Sequence, residues 1–376
     1  MIERRCNVMQ VVKAINPNDY RTEYILVNKD YDVVIPVRKY LNYLTATGKS
    51  PNTTRSYCFH LKAFFSFLEE LGIEYNNVDT NTLVSFIQWL RKPIRSMQVD
   101  FIYPEDSVCD QTVNTIITAI SSFYQYVCRM EEFRNPVIYA AVPIPANGYK
   151  GFLIHTGRKM VSKNLLKRYT IRRIVTTISE DSFNVFFSSI RSLRDKLIIL
   201  LMYEGGLRVG EVLSLWIDDL FLWDKRIRIL PKHDLPNGAR VKSRVERFVD
   251  ISSQLAQLLD DYLLFKRPDC YDTSHLFVME KGSNTGKPLP YNTVYKMFKY
   301  YSRISGILLH PHILRHSHAT ALIRAGWDAS FVQRRLGHAQ VQTTINTYVH
   351  LSDEDLKQSY QKYQETNSAT DLNSLL

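Results

Sequence analysis

LGHAQVQTTINTYVHL occupies residues 336–351, and it governs how the rest of the chain is interpreted. The segment places Tyr348 ten positions after His338, between threonines and a second histidine. Most tyrosines in folded proteins are partly buried packing residues whose hydroxyl is hydrogen-bonded, and this chain contains 23 of them. A functional role for Tyr348 therefore requires chemical partners elsewhere in the sequence.

The composition limits the class of protein. The chain has 376 residues, 45% of them hydrophobic, which is typical of a folded protein of about two domains. Its formal net charge of +11 favours a polyanionic partner such as nucleic acid. Its five cysteines are scattered and form no CxxC pair, so we expect a reducing cytoplasm, without disulfides or a cysteine zinc site. We also expect no signal peptide and no membrane-spanning segment.

Apolar periodicity and changes of composition divide the chain into five segments. Residues 1–35 form an N-terminal extension, in which VVKAIN and YILVNKDYDVVI are candidate strands. Residues 36–135 are predicted to form a helical domain, and 136–178 a linker. Residues 179–351 are predicted to form a mixed α/β domain that is mostly helical with a small antiparallel sheet, and 352–376 a tail.

Local signals mark the helices of the first domain. Ser50 is a suitable N-cap, Pro51 occupies the first helical position and Gly72 is a suitable C-cap, which predicts one long helix between them. Another helix is predicted from Asp110, and Pro93 ends the helix that precedes it.

The linker carries charge of one sign. No acidic residue lies between Glu132 and Glu180, and Pro and Gly are frequent at the start of this interval. A charge run is most often a solvated face, but here no acidic residue within the run can pair with its cations. We therefore expect contacts with DNA phosphates, made by the basic residues Lys163, Lys167, Arg168, Arg172 and Arg173.

Four separated pieces of the second domain contain candidate catalytic residues. GGLRVGEVLSL contains Arg208, and a predicted hairpin formed by RIRIL and RFVDIS carries two candidate lysines. HPHILRHSHAT places His312 and Arg315 on one face of a helix. The fourth piece is RRLGHAQVQTTINTYVH, which contains His338 and Tyr348. In order and spacing the four pieces resemble the tyrosine recombinase (phage integrase) family over about residues 180–352. NGARVKS and LGHAQVQTTINTYVHL are most similar to the subgroup of transposases carried by Tn554-type elements.

The resemblance implies a chemistry that the residues can perform. Residues 36–135 correspond to the family's core-binding domain, which contacts DNA, and 179–351 to its catalytic domain. Two guanidiniums can clamp the anionic oxygens of a phosphodiester, and histidines can assist proton transfer. A lysine can protonate the departing 5′ oxygen while tyrosine forms a 3′-phosphotyrosyl link. The implied catalytic residues are Arg208, Lys242, His312, Arg315, His338 and Tyr348, without a metal or other cofactor.

The lysine is not determined uniquely by the pattern. Counting back from VERFVDI selects Lys242, whereas counting forward from RIRIL selects Lys232, because the loop between the strands is long. We favour Lys242. Glu211 is expected to orient Arg208 or to cap a helix, and His316, His318 and His350 are expected to be packing or surface residues.

The same resemblance implies partners and a location. The expected partners are double-stranded DNA at element ends and target, three further copies of the chain in a tetramer on paired sites, and a second recombinase or accessory proteins of the same element. We expect the chain in the bacterial cytoplasm at the nucleoid. A predicted helix from Ser352 to about Gln364 is expected to dock on a neighbouring subunit, the alternative being its own domain.

Three other functions fit parts of the pattern. Five histidines (His310, His312, His316, His318 and His338) are close enough in sequence to suggest a zinc enzyme, although HExxH is absent. A DNA-binding protein without an active site would share the basic charge. A type IB topoisomerase would share the chemistry but would relax DNA of any sequence.

Overall fold

The computed structural model describes residues 9–15, 22–91, 108–130, 136, 138–143, 160–170, 176–232, 235–241, 243, 245–269 and 273–337. The chain divides into two compact units, Met1–Arg172 and Arg173–Leu376. Each unit has a hydrophobic core of its own.

The first unit is a helical bundle that carries a two-stranded sheet. Its elements are β1 (Gln10–Ile15), β2 (Thr22–Val27), α1 (Ile35–Ala46), α2 (Pro51–Leu71), α3 (Thr80–Arg91) and α4 (Asp110–Met130). The two strands pair antiparallel. VVKAIN is confirmed as a strand, whereas only the YILV part of YILVNKDYDVVI is one, because the Asn28 side chain accepts hydrogen bonds from the backbone of Asp30 and Asp32 in a turn that ends β2. Met9 and Leu26 are buried in the same core as the helices, so the described part of the extension packs on the bundle.

The predicted caps of α2 are confirmed. The Ser50 side chain accepts a hydrogen bond from the backbone N–H of Thr53 at 3.2 Å. At the other end Gly72 has φ +64°, the left-handed conformation that glycine adopts without a Cβ clash. The apolar face between these caps contributes Leu61, Phe64 and other side chains to the core.

The segment predicted as a linker contains two strands that the sequence did not reveal. These are β3 (Tyr139–Pro143) and β4 (Met160–Asn164), paired antiparallel. Asn164 is buried and donates from Nδ2 to Ser121 Oγ of α4 at 3.0 Å, and Leu166 enters the bundle core. The sequence predicted a linker here because proline and glycine are frequent. The two strands were missed because pairing between segments that are distant in sequence leaves no local pattern.

The second unit is mostly helical around a small sheet, as predicted. Its elements are α5 (Glu180–Ser188), α6 (Leu193–Tyr203), α7 (Val209–Leu213), β5 (Leu220–Phe221), β6 (Arg226–Ile229), β7 (Arg247–Asp250), α8 (Ser253–Phe265), α9 (Tyr291–Ser305), α10 (Pro311–Arg324) and α11 (Ala329–Leu336). The sheet order is β5-β6-β7, all antiparallel, with Ile227 opposite Val249. The two-residue β5 is too short to produce a periodic pattern.

Helix α6 runs through the middle of this unit. Leu197, Ile198, Ile199 and Leu201 are all fully buried, so the helix is covered on several sides by the sheet and by neighbouring helices. The chain leaves α6 directly into the GGLR turn, which fixes where Arg208 emerges. None of the helices in the described ranges is both long and apolar enough to cross a membrane.

Candidate active site

The GGLR turn places Arg208 at the start of α7. Its backbone N–H donates to Glu211 Oε2 at 2.9 Å, and its Nη1 donates to Glu211 Oε1 at 2.8 Å. Glu211 is fully buried. Both expectations for Glu211 are therefore confirmed, since its carboxylate caps the helix and also orients the arginine.

Gly206 makes the close approach of α10 to this turn possible. It has φ +65°, and a Cβ there would lie 2.5 Å from Cδ2 of His318. Its carbonyl oxygen accepts a hydrogen bond from Arg315 Nη1 at 2.7 Å. The turn that carries Arg208 is thus joined directly to the helix that carries Arg315.

Arg315 lies on α10 and is almost fully buried. Its Nη1 lies 3.6 Å from Glu211 Oε2, and its Nη2 donates to the carbonyl oxygen of Leu336 at 2.6 Å. Arg208 Nη1 reaches the same carbonyl oxygen at 3.4 Å. The fold therefore brings together the two arginines that the sequence places 107 positions apart.

A third guanidinium, that of Arg247 on β7, was not predicted. Its Nη2 donates to Glu211 Oε2 at 2.8 Å, and its Nε donates to the carbonyl oxygen of Arg335 at 2.9 Å. The available signal was the alternation of β7, in which Phe248 is exposed while Arg247 and Val249 are buried. An arginine on the buried face of a strand requires a partner in the interior.

The electrostatics of this cluster keep Glu211 ionised. Burial raises the pKa of the Glu211 carboxyl, but the guanidiniums of Arg247, Arg315 and Arg208 together lower it by more. The pKa therefore lies below its ordinary value. Three guanidiniums around one carboxylate leave a net charge of +2. Such a site is suited to an anion with several oxygens, because guanidiniums donate paired hydrogen bonds to phosphate.

The last turn of α11 completes the cluster. The carbonyl groups of Arg335 and Leu336 have no partner within the helix, as is general at helix C-termini, and accept hydrogen bonds from Arg247 and Arg315. Gly337 follows with φ +65° and ends the helix. His338 and Tyr348 lie outside the described residues, so the structure leads the chain to the arginine cluster and gives no position for either.

Lys232 and Lys242 differ in what the structure describes. Lys232 donates from Nζ to Asp219 Oδ2 at 2.5 Å and to the carbonyl oxygen of Ser214 at 3.0 Å, and its ammonium lies 3.9 Å from the ring centre of Trp216. Burial lowers the pKa of Lys232 although Asp219 opposes this. Ser214 is the C-cap of α7 and Arg208 is its N-cap. The Lys232 ammonium is therefore bound at the opposite end of α7 from Arg208, and the two ends are about 9 Å apart along the helix axis. Lys242 lies outside the described residues.

The histidines of α10 have different environments. His312 is exposed, one turn before Arg315, with its ring centre 6.4 Å from that of His316. His318 accepts a hydrogen bond from Arg335 Nε at 3.0 Å, and burial, together with Arg335 and Arg315, lowers its pKa to about 3. His318 is thus a neutral packing residue, as predicted. Burial and His312 lower the pKa of His316 to about 4.

The zinc alternative depends on a cluster of ligands. Among the residues that the structure describes, no three His, Cys, Asp or Glu side chains are grouped as a metal site. His338 and His350 are not among them.

Two of the basic residues predicted to contact DNA can be located. Arg168 Nε lies 2.8 Å from Asp110 Oδ1, and its backbone N–H donates to Asn114 Oδ1 at 2.8 Å. The acidic partner missing from the linker thus comes from α4. Lys167 is exposed next to it. The side chain of Lys163 and all of Arg172 and Arg173 lie outside the described residues.

Comparisons with known proteins agree with this geometry. Residues 164–355 match the Phage integrase family, and residues 37–131 match its N-terminal SAM-like domain. Transposase A from transposon Tn554 of Staphylococcus aureus is 40% identical over 342 residues, covering 91% of this chain and 94% of that protein. Tyrosine recombinase XerA of Pyrococcus horikoshii is 27% identical over 340 residues, covering 90% and 94%.

Two solved structures show the same fold. The Tn1549 transposon integrase in complex with a circular intermediate DNA has a TM-score of 0.59 at 14% identity, covering 87% of this chain and 99% of that one. The XerH site-specific recombinase bound to a palindromic difH substrate has a TM-score of 0.57 at 19% identity, covering 85% and 82%.

Proposed function

The chain belongs to the phage integrase family of tyrosine recombinases, and from that premise we propose that it is the site-specific DNA recombinase of a mobile element, acting as a transposase. The observation that carries the proposal is the cluster of Arg208, Arg315 and Glu211 at the turn that leads into His338. The similarity to transposase A of Tn554 along 91% of the chain supports the transposase type.

The arginine cluster accounts for activation of a phosphodiester. Its net charge of +2 meets the charge that builds on the phosphorus oxygens when a nucleophile adds. Glu211 holds Arg208 by two hydrogen bonds before DNA arrives, so little reorganisation is needed during the reaction. Arg208 is the more exposed of the two predicted catalytic arginines and is therefore the first that a phosphate oxygen can reach.

The remaining roles follow from the chemistry of the side chains. Tyr348 attacks phosphorus and forms a 3′-phosphotyrosyl bond, while the 5′ oxygen leaves with a proton. We assign that proton to Lys242. The contacts of Lys232 support this choice, because its ammonium is bound by Asp219 and by the carbonyl of Ser214. His312 and His338 donate hydrogen bonds and assist the proton transfer from tyrosine.

The partners follow from the family and from charge. Both structural neighbours named above are complexes with DNA, and the chain carries a net charge of +11. We therefore propose that residues 36–135 and 179–351 bind one DNA duplex, with the segment 136–178 along its backbone. Four copies would act on two paired sites, with the tail 352–376 docked on a neighbouring subunit.

A strand-exchange assay tests the proposed function. Two duplexes with different labels, each carrying the element's end sequence, are incubated with the protein in a metal chelator and without ATP. We expect recombinant duplexes and a covalent protein–DNA complex, because the phosphotyrosyl bond keeps the energy of each cleaved phosphodiester available for rejoining. Hydrolysed ends would indicate a nuclease. Loss of all activity in chelator would indicate a metalloenzyme, and DNA binding without an adduct would indicate a binding protein without an active site. Relaxation of plasmids regardless of sequence would indicate a topoisomerase.

A further inference from the structure

Arg247 joins strand β7 to both α7 and the end of α11. It lies on β7, five positions after Lys242 in sequence. Its Nη2 binds Glu211, and its Nε binds the carbonyl of Arg335 at the end of α11. We propose that Arg247 is a positioning residue for DNA cleavage, which aims Arg208 through Glu211 and fixes the helix end from which the chain continues to His338. This inference rests on the proposed function.

The burial of Arg247 supports a positioning role rather than direct contact with DNA. Its side chain is 8% exposed, whereas that of Arg208 is 22% exposed. Two of its nitrogens hydrogen-bond to protein acceptors, while Nη1 is buried and has no hydrogen-bond partner among the residues that the structure describes. A guanidinium in the interior is costly unless it is paired, and Glu211 and the carbonyl of Arg335 supply that pairing for Arg247.

The geometry shows how Arg247 transmits its effect. Glu211 Oε2 accepts hydrogen bonds from both Arg247 Nη2 and the Arg208 backbone N–H, while Oε1 accepts one from Arg208 Nη1. Removing Arg247 frees the carboxylate to rotate, and Arg208 rotates with it. Because a misplacement of about 1 Å costs on the order of a hundredfold in rate, we expect a loss of cleavage of that size.

Gly337 provides a second, independent indication. A Cβ at Gly337 would lie 2.7 Å from Arg247 Nη1 and 3.0 Å from its Cζ. The guanidinium therefore packs on the bare backbone of the residue that precedes His338. The glycine of the LGH motif thus serves two purposes, since it ends α11 at φ +65° and leaves space for Arg247.

The test compares Arg247→Met with Arg226→Met. Arg226 is the matched control, because it lies on the neighbouring strand in an exposed ion pair with Asp250. Cleavage is measured as single-turnover adduct formation at saturating protein, with circular dichroism to determine the folded fraction. We expect Arg247→Met to be folded and to bind DNA, with cleavage slowed about a hundredfold, and Arg226→Met to match the wild type.

A substrate with sulfur at the bridging 5′ position identifies the route of the effect. Sulfur leaves without a proton, so it rescues defects that arise through the lysine of the hairpin. We expect no rescue of Arg247→Met, and we expect the double variant with Glu211→Gln to lose no more than about threefold beyond the slower single variant. Rescue by sulfur, additive losses or an unchanged rate would each overturn the inference.

Arg247→Lys replaces Arg247→Met if the methionine variant does not fold. Lysine keeps the charge beside Glu211 but cannot bind Glu211 and the carbonyl of Arg335 at the same time as a guanidinium does. We then expect an intermediate loss that sulfur does not rescue, and a wild-type rate would overturn the inference. If the wild-type chain forms no adduct on either substrate, the proposed function fails, which is distinct from failure of Arg247 alone.

Discussion

Arg208 and Glu211 are joined by two hydrogen bonds, one from the arginine's backbone N–H at 2.9 Å and one from its Nη1 at 2.8 Å. A single buried carboxylate therefore fixes both the main chain and the side chain of the arginine three residues before it. The GLRVGE pattern is thus a local unit in which the acid starts a helix and aims a cation. Charge in this unit stabilises the fold and prepares the site together.

Glu211→Gln tests that unit. The substitution removes the negative charge among three guanidiniums, so we expect the free energy of unfolding to fall by about 3 kcal/mol and cleavage to slow by about a hundredfold or more. Chemical denaturation and covalent trapping measure the two effects. Glu246→Gln is the control, because Glu246 is an exposed acidic residue directly before β7, the strand that carries Arg247. Equal stability of the two variants would contradict the role of Glu211.

The effect of Glu211→Gln depends on pH. The guanidiniums hold the pKa of Glu211 below its ordinary value in the folded protein. Its contribution is therefore complete above the unfolded pKa of about 4.3 and is lost as the pH falls through the lower folded pKa. We expect the stability difference between wild type and variant to be constant near neutral pH and to shrink below about pH 4. A difference that grows in acid would contradict this.

Substitution of the two candidate lysines should have different effects on stability and on cleavage. Lys232→Met leaves buried Asp219 with Arg228, at 3.5 Å, as its one remaining cation among the described residues, so we expect a lower melting temperature. Any loss of cleavage should persist on a substrate with sulfur at the bridging 5′ position. Lys242→Met should melt like the wild type and should regain cleavage on that substrate. The opposite pattern would assign the proton to Lys232.

Gly337→Ala and Gly306→Ala form a matched pair. Both glycines end helices at positive φ, +65° and +73°, so both substitutions incur a similar backbone strain of about 1 kcal/mol. A Cβ at Gly306 meets no atom within 4 Å, whereas one at Gly337 would meet the guanidinium of Arg247 at 2.7 Å. We expect only Gly337→Ala to slow adduct formation, by about tenfold or more. Equal rates for the two variants would contradict a role for the contact.

The linker cations should differ in their effect on DNA binding. Lys167 is exposed, whereas Arg168 is paired with Asp110. We expect Lys167→Gln to reduce the slope of log affinity against log salt by up to about 0.9, the value for one phosphate contact, and Arg168→Gln to reduce it less. If neither substitution changes the slope, the run is a solvated face.

The features predicted from sequence are those with local causes. The caps at Ser50 and Gly72 and the hydrophobic face between them lie within one helix, and the structure confirms them. The strands that became β6 and β7 show alternation, and their antiparallel pairing is confirmed. The pairing of β3 with β4 joins distant segments through a stretch rich in proline and glycine, so no local pattern revealed it.

The site divides in the same way. Arg208 and Arg315 were predicted because each lies in a short motif, and their shared contact with Leu336 arises only in the fold. Arg247 belongs to no motif, and its single sequence signal is a charge on the buried face of a strand. The predictions for Lys242, His338 and Tyr348 fall outside the described residues and remain predictions.

The measurement that tests the account most directly is covalent trapping by Tyr348→Phe. A nicked duplex that carries the element's end sequence is incubated with wild type and with the variant, and adducts are resolved by denaturing electrophoresis and peptide mapping. Wild type should form an adduct at the 3′ phosphate through the peptide that contains Tyr348. Tyr348→Phe should bind the same DNA with unchanged affinity and form none. An adduct that persists in the phenylalanine variant, or that maps to another peptide, would contradict the account.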